Sequence, residues 1–345
     1  MDKKRVLFLI GGRSGEHEIS LISGKNILAA LDRKLFEPIL VIIQKNGEMT
    51  FAEESELQKL PKNPKEIKTP KGIPISLRPY SLKGAQPSIL VNSEVHEFDV
   101  AFPVLHGPGG EDGTIQGLFE LAQIPVVGCG VKASAICMDK GMTKHLCIQA
   151  GLPVIPFKEI HRGEKWEKFP WDFPLFVKPA SLGSSLGVSK VKSQSELEKA
   201  IKEALSMDEK ILVEPAISGR ELEIALLGKR GELVASPVGE IKPCAEFYSY
   251  DAKYVDPDGA ELILPAPLSS EDLKKFQEIA KNIFNALDCR GMARIDFFRT
   301  EKGEFLLNEV NTIPGFTSIS MYPKLLQLAG ISYSDLITKL IQLAH

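Results

Sequence analysis

The stretch at residues 176–190, FVKPASLGSSLGVSK, places a lysine and a loop of glycines and serines between two apolar runs. Lys178 ends the first run, and Gly183 and Gly187 lie in the loop. Glycine lets the backbone approach a ligand closely. Backbone N–H groups, serine hydroxyls and a lysine ammonium all donate to phosphate oxygens. The stretch therefore predicts a polyphosphate-binding flap, with an ordinary hairpin turn as the alternative, because Gly and Ser also dominate turns.

The spacing excludes two familiar phosphate loops. A P-loop places its lysine after the glycines and leads into a helix, whereas Lys178 precedes the glycines and the following GVSKV is typical of a strand. The dinucleotide motif G-x-G-x-x-G is also absent from this loop. A phosphate site here would therefore lie between two strands.

A second hairpin, MARIDFFR-TEKG-EFLLNEVNT, alternates polar and apolar residues. A four-residue turn TEKG makes residues 299 and 304 partners, and side chains alternate faces along a strand. One predicted face carries Arg294, Asp296, Glu309 and Asn311. The other is apolar, with Ile295, Phe297, Leu306 and Val310.

The polar face combines the carboxylates of Asp296 and Glu309 with the amide oxygen of Asn311. Magnesium prefers such oxygen ligands, completed by water and substrate phosphates. The alternative is a solvated polar face that Arg294 neutralises. The apolar opposite face, within a large domain, favours a metal site. Together the hairpins supply phosphate donors, metal ligands and a fixed cation, which are the requirements of phosphoryl transfer.

The surrounding elements indicate an α/β protein. Strands alternate with helices over residues 5–130, which predicts a parallel sheet whose ligand crevice lies at the carboxyl ends of the strands. GGRSGEHE and LHGPGGEDG both fall at such ends. A helix is expected from Ser20 to Leu31, and residues 60–87, rich in Pro and Lys, are expected to form a surface excursion.

Further helices are predicted along the rest of the chain. One runs over residues 134–150 and ends at a Gly and a Pro. Another runs over residues 194–205 and begins with a capping box of Ser193 and Glu196. A third, near residues 273–287, precedes the second hairpin, and a C-terminal helix ends the chain.

Composition limits the function. The 345 residues are too many for one ordinary core, so two or three domains are expected. A net charge of −3 gives no reason to expect nucleic acid or a membrane as partner. The five cysteines show no C-x-x-C pair and are interpreted as reduced thiols of a cytoplasmic protein. The apolar run 6–10 is too short for a signal peptide and is expected to be the first strand.

The sequence resembles the D-alanine–D-alanine ligases of the ATP-grasp superfamily over nearly its whole length. The motifs that carry the resemblance are GGRSGEHEIS, LHGPGGEDGTIQG, MDK, VKPASLGSSLGVSK, EFYSYDAKY, GMARIDFF and NEVNTIPGFTSIS. One departure is Gly109, where a bulkier aromatic residue is common in the family; it bears on loop packing and not on a reacting group.

The resemblance implies a fold and a reaction. The fold would be α/β in a three-domain ATP-grasp architecture: an N-terminal parallel-sheet domain (1–130), a central domain (131–220) and a C-terminal domain (221–345), the last two α+β and enclosing ATP. The reaction would join two D-alanine molecules through a D-alanyl phosphate, with ATP and two Mg²⁺ or Mn²⁺ ions, for peptidoglycan precursors. A cytoplasmic homodimer is implied.

The resemblance also implies roles for the nucleotide and metal residues. Lys140 and Lys178 would contact phosphates, and the Ser184–Ser185 loop would cover them. Glu214 would lie in the strand that meets adenine, and Glu221 would accept from the ribose hydroxyls. The two metal ions would be held by Asp296, Glu309 and Asn311.

For the amino-acid substrates, Glu16 would bind the first ammonium, and Arg294 with the backbone N–H of Gly315 would stabilise the oxyanion. The second carboxylate would be bound by Ser320 and Lys253.

Three further residues have expected places. His106 would lie near the first substrate, with a satisfied structural histidine as the alternative. His17 is expected to be an exposed loop residue. The segment EFYSYDAKYVDPDG is predicted to be a lid that shields the acyl phosphate from water, with Tyr254 closing onto Ser184 and Glu16.

Two other functions remain open at this point. A regulatory protein that grips ATP without chemistry would lack the metal ligands, which are present. A different ATP-grasp enzyme, such as a carboxylase or another amino-acid ligase, would not need the Glu16 motif together with Tyr254 and Ser320.

Overall fold

The computed structural model describes residues 3–61, 63–78, 86–244 and 259–345. Its N-terminal sheet has the strand order β6-β5-β4-β3-β2-β1-β7. The strands are β1 (Lys4–Gly11), β2 (Phe36–Ile43), β3 (Met49–Phe51), β4 (Ile73–Arg78), β5 (Ser88–Val91), β6 (Glu94–Glu97) and β7 (Val100–Pro103). Strand β1 pairs in parallel with β2 and β7, and the remaining pairs are antiparallel. The α/β class is therefore confirmed, with the parallel part of this sheet confined to β2, β1 and β7.

Strand β1 is buried on both faces, as expected for the centre of such a sheet. Phe8 and Ile10 enter one core together with residues of helix α1 (His17–Ala30). Leu7 and Leu9 enter a second core with residues of helix α3 (Thr114–Leu121). The carboxyl end of β1 and the start of α1 are thereby fixed, and the predicted substrate residue Glu16 lies between them.

The central sheet is antiparallel, in the order β10-β9-β11-β8. Its strands are β8 (Lys158–His161), β9 (Leu175–Pro179), β10 (Ser189–Val191) and β11 (Lys210–Pro215). Helix α6 (Gln194–Met207) packs its apolar stripe against the sheet. The loop between β9 and β10 is the predicted phosphate flap.

The C-terminal sheet is also antiparallel, in the order β14-β13-β12-β15-β16. Its strands are β12 (Gly219–Lys229), β13 (Glu232–Pro243), β14 (Ala260–Ile263), β15 (Gly291–Thr300) and β16 (Phe305–Asn311). One face packs on helix α7 (Ser270–Ala286) through Phe276, Phe297 and Phe305. The opposite face carries the predicted metal residues.

The other helices connect and cover these sheets. They are α2 (Glu54–Gln58), α4 (Val131–Met138), α5 (Lys140–Gln149), α8 (Met321–Leu328) and α9 (Tyr333–Gln342). Helix α9 contributes Ile337 and Leu340 to the core that contains α1, so the last helix packs on the first domain. Across the described ranges, no helix is both long and apolar enough to span a membrane.

Several element predictions need correction. The helix predicted over 134–150 is two helices, because Asp139 has an extended conformation and caps α5 by accepting from Met142 N at 3.0 Å. The stretch 60–87 was expected to be a surface excursion, but residues 73–78 form β4 within the sheet. Helix α1 begins three residues before Ser20, at His17. The cap of α6 is confirmed, since Ser193 accepts from Glu196 N.

Candidate functional site

A single cleft brings together side chains from all parts of the chain. It lies between the loops after β1 and β7, the flap after β9, the start of α5 and the polar face of the C-terminal sheet. Of the predicted residues, those lining it are Glu16, His106, Lys140, Ser184, Arg294, Glu309, Asn311, Gly315 and Ser320. Asp296 is buried directly beneath, bound to Arg294. Substrate and metal residues predicted from distant motifs therefore converge in space.

The N-terminal loop and the flap meet at Glu16 and Ser184. Glu16 is the N-cap residue of α1, but its side chain makes no capping bond to the helix. It accepts a hydrogen bond from Ser184 Oγ instead. Ser184 and Ser185 both have positive φ, at 51° and 59°, a conformation that non-glycine residues seldom adopt. The flap thus turns sharply enough to place a serine hydroxyl on Glu16.

The polar face of the C-terminal sheet is organised around Arg294. Its Nε and Nη2 donate to the two carboxylate oxygens of Asp296 at 2.8 and 2.7 Å, and its Nε lies 3.1 Å from Glu223 Oε2. Burial lowers the pKa of the Arg294 guanidinium, but Asp296 and Glu223 outweigh burial and hold the pKa well above its usual value. The site therefore contains a permanent, oriented cation.

The hairpin reaches this arrangement by a different register from the predicted one. Arg299 pairs with Phe305, and the turn closes between Thr300 and Glu304, so the predicted partnership of 299 with 304 is wrong. A bulge at Asn308 shifts the register once more, and Asp296 then pairs with Glu309. Each shift of one residue reverses which face a side chain points to, so the two shifts together restore the predicted faces.

The predicted polar face is therefore present, with Arg294 opposite Asn311. On the other face, Phe305 and Leu307 are buried in the core, and Leu306, which was expected there, is only half-buried and pairs with Phe298.

The donor set fits a magnesium site. Asn311 Oδ1 is buried and finds no hydrogen-bond partner among the described residues. Lys140 Nζ lies 3.3 Å from Glu309 Oε2, so a cation already neutralises that carboxylate. Within the described part of the chain, no three His, Cys, Asp or Glu side chains are arranged to hold a metal by themselves. Two carboxylates and an amide would need waters and phosphates to complete the shell, as Mg²⁺ usually does.

A buried lysine–glutamate–lysine cluster lies between the flap strand and α5. Glu214, on β11, receives Lys178 at 2.7 Å on Oε2 and Lys144 on Oε1. Burial alone would raise the pKa of Glu214, but the two lysine charges hold it below its ordinary value. Burial lowers the pKa of Lys144 to about 8. The ammonium of Lys178, on the strand that leads into the flap, is thus held by a buried carboxylate.

The bulged residue Asn308 supports the same lysine. Its Oδ1 accepts from Lys178 Nζ at 3.0 Å. A bulge leaves one residue outside the ladder and re-aims its side chain. Here the re-aimed amide joins the C-terminal sheet to the central sheet.

Both histidines are buried and hydrogen-bonded within the protein, which agrees with the structural alternative for His106 but not with the exposed position expected for His17. Both ring nitrogens of His106 are bound within the protein, Nδ1 to Ile313 O at 3.0 Å and Nε2 to Ser23 Oγ at 3.1 Å. Burial lowers the pKa of His106. His17 was expected to be exposed, but it is fully buried, with its ring bound to Gly12 O and Thr69 Oγ1. That prediction failed because α1 begins at His17 and turns it inward.

The loop after β16 places Gly315 against Ser320. A Cβ on Gly315 would lie 2.7 Å from Ser320 Oγ, so any other residue here would force the Ser320 hydroxyl to move. Ser320 Oγ is itself held by Thr317, through the backbone N at 3.0 Å and the hydroxyl at 2.8 Å. The N–H and the hydroxyl predicted for substrate recognition therefore share one corner of the cleft.

Other predicted residues lie outside the cleft lining or outside the described ranges. Ser185 follows Ser184 in the flap, and Glu221 is half-buried on β12, on the same side of the sheet as Glu223. Lys253 and Tyr254, with most of the predicted lid, lie outside the residues that the structure describes.

Sequence reasoning missed four residues of this region: Glu111, Lys144, Glu223 and Asn308. Lys144 stands one helical turn after Lys140, and Glu223 stands two strand positions after Glu221, so periodicity could have indicated both. Glu111 lies inside the LHGPGGEDG motif. Asn308 gave no signal, because the bulge that re-aims it is not evident from alternation.

Two family models match the chain. The D-ala D-ala ligase N-terminus matches residues 5–129, and the D-ala D-ala ligase C-terminus matches residues 146–342. Together they cover nearly all of the chain, including every residue assigned above to the cleft apart from Lys140 and Lys144.

Individual relatives agree with the family models. A D-alanine–D-alanine ligase of Shouchella clausii is 45% identical, covering 100% of this chain and 95% of its own length. The crystal structure of VanG D-Ala:D-Ser ligase from Enterococcus faecalis has a TM-score of 0.85 at 36% identity and covers 99% of each chain. The D-alanine–D-alanine ligase structure from Coxiella burnetii also has a TM-score of 0.85, at 34% identity, covering 99% of this chain and 94% of its own. The chain therefore belongs to the D-alanine–D-alanine ligase family.

Proposed function

We propose that the cleft joins two molecules of D-alanine into D-alanyl-D-alanine, the dipeptide of peptidoglycan precursors, while ATP becomes ADP and phosphate. The carboxylate of the first D-alanine attacks the γ-phosphorus. The bond from this phosphorus to the bridging oxygen breaks, and ADP leaves with that oxygen and the electron pair of the bond. The amine of the second D-alanine then attacks the acyl carbon and loses a proton, and phosphate leaves as the tetrahedral intermediate collapses.

The first D-alanine would be bound by the loop between β1 and α1, which carries Glu16. Glu16 offers a buried carboxylate to the substrate ammonium, and Ser184 already donates to that carboxylate. The contact between Ser184 and Glu16 would thus couple the closure of the flap over the nucleotide to the binding of the first D-alanine. His106 does not supply a free ring nitrogen, so we assign it to the support of the neighbouring loop and not to substrate contact.

Charge stabilisation falls to Arg294, Lys140 and Lys178. The phosphates need cations that are fixed before they arrive, and each of these side chains is held by carboxylate or carbonyl partners. The Gly315 N–H and the Arg294 guanidinium would bind the oxyanion. Ser320, with Lys253 from the lid, would bind the second carboxylate. The strand that carries Glu214 would meet adenine, and Glu221 would accept from the ribose hydroxyls.

Asp296, Glu309 and Asn311 would hold two Mg²⁺ or Mn²⁺ ions. Bound there, the ions would neutralise the phosphate oxygens and lower the barrier to transfer. Lys140 Nζ lies 3.3 Å from Glu309 Oε2, which supports a role for the lysine on the same phosphates as the metal ligands.

One observation carries this assignment: the buried Glu16 of the substrate loop accepts directly from Ser184 of the phosphate flap. An enzyme that makes an acyl phosphate needs an amino-acid carboxylate beside the γ-phosphate, and a direct contact between the loop proposed to bind the amino acid and the flap proposed to cover the phosphates supports this arrangement. A coupled assay of ADP release with D-alanine, L-alanine or bicarbonate tests it. ADP release with D-alanine alone is expected, and release with bicarbonate or without any acceptor contradicts it.

We also propose a cytoplasmic homodimer with domain boundaries near residues 130 and 220. The cysteines within the described ranges are free thiols, and Cys129, Cys137, Cys147 and Cys289 are buried, which suits a reducing compartment. Light scattering of the purified protein tests the dimer, and limited proteolysis tests the boundaries.

A further inference from the structure

The loop that carries Gly315 takes its hydrogen bonds from the N-terminal domain. At Ile313, Glu111 Oε1 accepts from the backbone N–H at 3.2 Å. His106 Nδ1 donates to the Ile313 carbonyl at 3.0 Å. Both polar groups of this residue's backbone are therefore bound by side chains of the LHGPGGEDG loop.

The other side of Gly315 is held from helix α1. The Phe316 N–H donates to Ser23 Oγ at 3.3 Å, and Asn26 Nδ2 donates to the Phe316 carbonyl at 3.1 Å. Ser23 Oγ also contacts His106 Nε2 at 3.1 Å. The segments before and after Gly315 are thus clamped by one connected set of N-terminal side chains.

Glu111 joins the LHGPGGEDG loop to the segment before Gly315. Its Oε2 accepts from Gly107 N at 2.7 Å, while its Oε1 holds Ile313. The side chain is only 8% exposed. Burying a carboxyl group is costly unless its oxygens are hydrogen-bonded, and here both oxygens accept backbone N–H groups, one from the LHGPGGEDG loop and one from the segment before Gly315.

We propose that Glu111 is a positioning residue that fixes the backbone N–H of Gly315 for the oxyanion by holding Ile313 against the N-terminal domain. This inference rests on the proposed function. It explains why a C-terminal loop with a reacting N–H is fixed by a different domain: the donor reaches its position only when the domain that binds the first D-alanine is in place. An oxyanion donor that is displaced loses most of its effect on the chemical step.

The variant Glu111→Gln tests the proposal because glutamine has a single acceptor oxygen and cannot receive both N–H groups. We expect kcat to fall about 10- to 100-fold, since a misplaced donor costs less than the 10²–10³-fold of a removed one. The dissociation constant for ATP should stay within about 2-fold, because Glu111 touches none of the phosphate-binding lysines. A merely structural role would instead lower ATP affinity and melting temperature together.

The matched control is Glu240→Gln. Glu240 is also 8% exposed, but it binds Arg220 at 2.6 and 2.9 Å and pairs with Leu222, whose side chain lies in the core on the α7 face of the C-terminal sheet. It should lower the melting temperature while leaving kcat near wild type. Should Glu111→Gln fail to fold, Ser23→Ala removes the acceptor for Phe316 N–H with little change in volume, and a fall in kcat at unchanged ATP affinity is again expected.

The outcomes separate the two claims. A wild-type protein that releases no ADP with D-alanine overturns the proposed function. An active wild type with unchanged kcat in Glu111→Gln, or in Ser23→Ala where the first variant does not fold, overturns the positioning role alone. The positioning role is overturned as well if Glu240→Gln, at a similar loss of melting temperature, lowers kcat as much as Glu111→Gln does.

Discussion

Asn308 accepts a hydrogen bond from Lys178 across the gap between the C-terminal and central sheets, with Nζ and Oδ1 3.0 Å apart. The contact exists because Asn308 is the extra residue of the bulge in β16. The same bulge therefore serves two purposes. It turns Glu309 and Asn311 toward the cleft, and it supports the lysine that we assign to the phosphates.

Asn308→Ala should weaken ATP use. Lys178 would keep Glu214 but lose its second anchor, and a hydrogen bond to a charged group contributes about 1.5–3 kcal/mol. Water would replace part of the lost hydrogen bond to Lys178. We therefore expect KM for ATP to rise about 3- to 30-fold at saturating D-alanine. Steady-state kinetics with varied ATP measure it.

The control for that variant is Asn63→Ala, which removes an asparagine that caps a short 3₁₀ helix in the N-terminal domain. Its KM for ATP should match wild type. An unchanged KM in Asn308→Ala would show that Glu214 alone holds Lys178.

The hairpin shows how far alternation along the sequence can be trusted. Alternation correctly predicted that Arg294 and Asp296 share a face with Glu309 and Asn311. It did so although the turn register was wrong by one residue, because the bulge at Asn308 adds a compensating shift. A register error of one residue normally reverses the facing of a whole strand. The register error is visible at Leu306. Alternation predicted Leu306 in the core, but the structure places Phe305 and Leu307 there.

Other features depend on contacts that no local pattern specifies. Helix caps could be predicted at Ser193, because the signal lies within four residues. The burial of His17 and Glu111 could not, because their partners Thr69 and Ile313 are 52 and 202 residues away. The motifs indicated which residues meet at the cleft, but the bonds that hold them follow from tertiary packing.

Glu309→Gln should remove most of the activity. The change halves the formal negative charge that Asp296 and Glu309 offer to the metal ions, and losing a main transition-state stabiliser costs about 10²–10³-fold in kcat. Activity is measured by ADP release across a Mg²⁺ titration, because weakened metal binding should be relieved in part at high Mg²⁺. Glu304→Gln, in the exposed turn of the same hairpin, is the control and should behave as wild type. Full activity of Glu309→Gln at ordinary Mg²⁺ would show that Glu309 is not a metal ligand.

Glu16 and Ser184 should be energetically coupled. Each contacts the other directly, so their effects on kcat/KM should not add. In a cycle of Glu16→Gln, Ser184→Ala and the double variant, we expect a coupling energy of about 0.5–3 kcal/mol. The control cycle replaces Ser184→Ala with Ser193→Ala, the cap of α6, and should be additive with Glu16→Gln. Additive losses in the first cycle would mean that flap and substrate loop act independently.

Glu111 should make the stability of the protein depend on pH. Burial, and then the charge of Glu16, raise the pKa of Glu111 to about 8 from its ordinary value of about 4.5. Between these values the folded protein keeps a proton that the unfolded chain releases. The free energy of unfolding should therefore fall as pH rises through this window, by up to about 1.4 kcal/mol per pH unit from this group.

Urea unfolding of the ligand-free protein at pH 5.5, 6.5 and 7.5 measures that slope. In Glu111→Gln the titrating group is gone, so stability should fall less steeply with pH than in wild type. Parallel pH profiles for the two proteins would show that the carboxylate titrates near its ordinary pKa in the fold.

The expected product is the dipeptide and not the ester D-alanyl-D-lactate. The amine of D-alanine must lose its proton before it attacks the acyl carbon, whereas the hydroxyl of lactate carries no charge to lose. Family members that form the ester would need to disfavour the ammonium form, and we expect this chain to accept the amine because its pair Lys253–Tyr254 resembles that of dipeptide-forming members. With ATP, D-alanine and D-lactate supplied together, dipeptide should predominate at pH 8 and form more slowly at pH 6.

D-serine provides the stricter comparison, because VanG from Enterococcus faecalis carries the description D-Ala:D-Ser ligase. Next to Ser320, the cleft is lined by the apolar side chains of Ile319 and Met321. A hydroxymethyl group placed against the buried side chain of Met321 would lose water, and an apolar pocket typically rejects an added hydroxyl by about 10²-fold. Chromatography of products from equal D-alanine and D-serine should therefore show mostly D-alanyl-D-alanine. Predominant D-alanyl-D-serine, or predominant ester with D-lactate at both pH values, would reassign the second substrate while leaving the ATP and metal proposals in place.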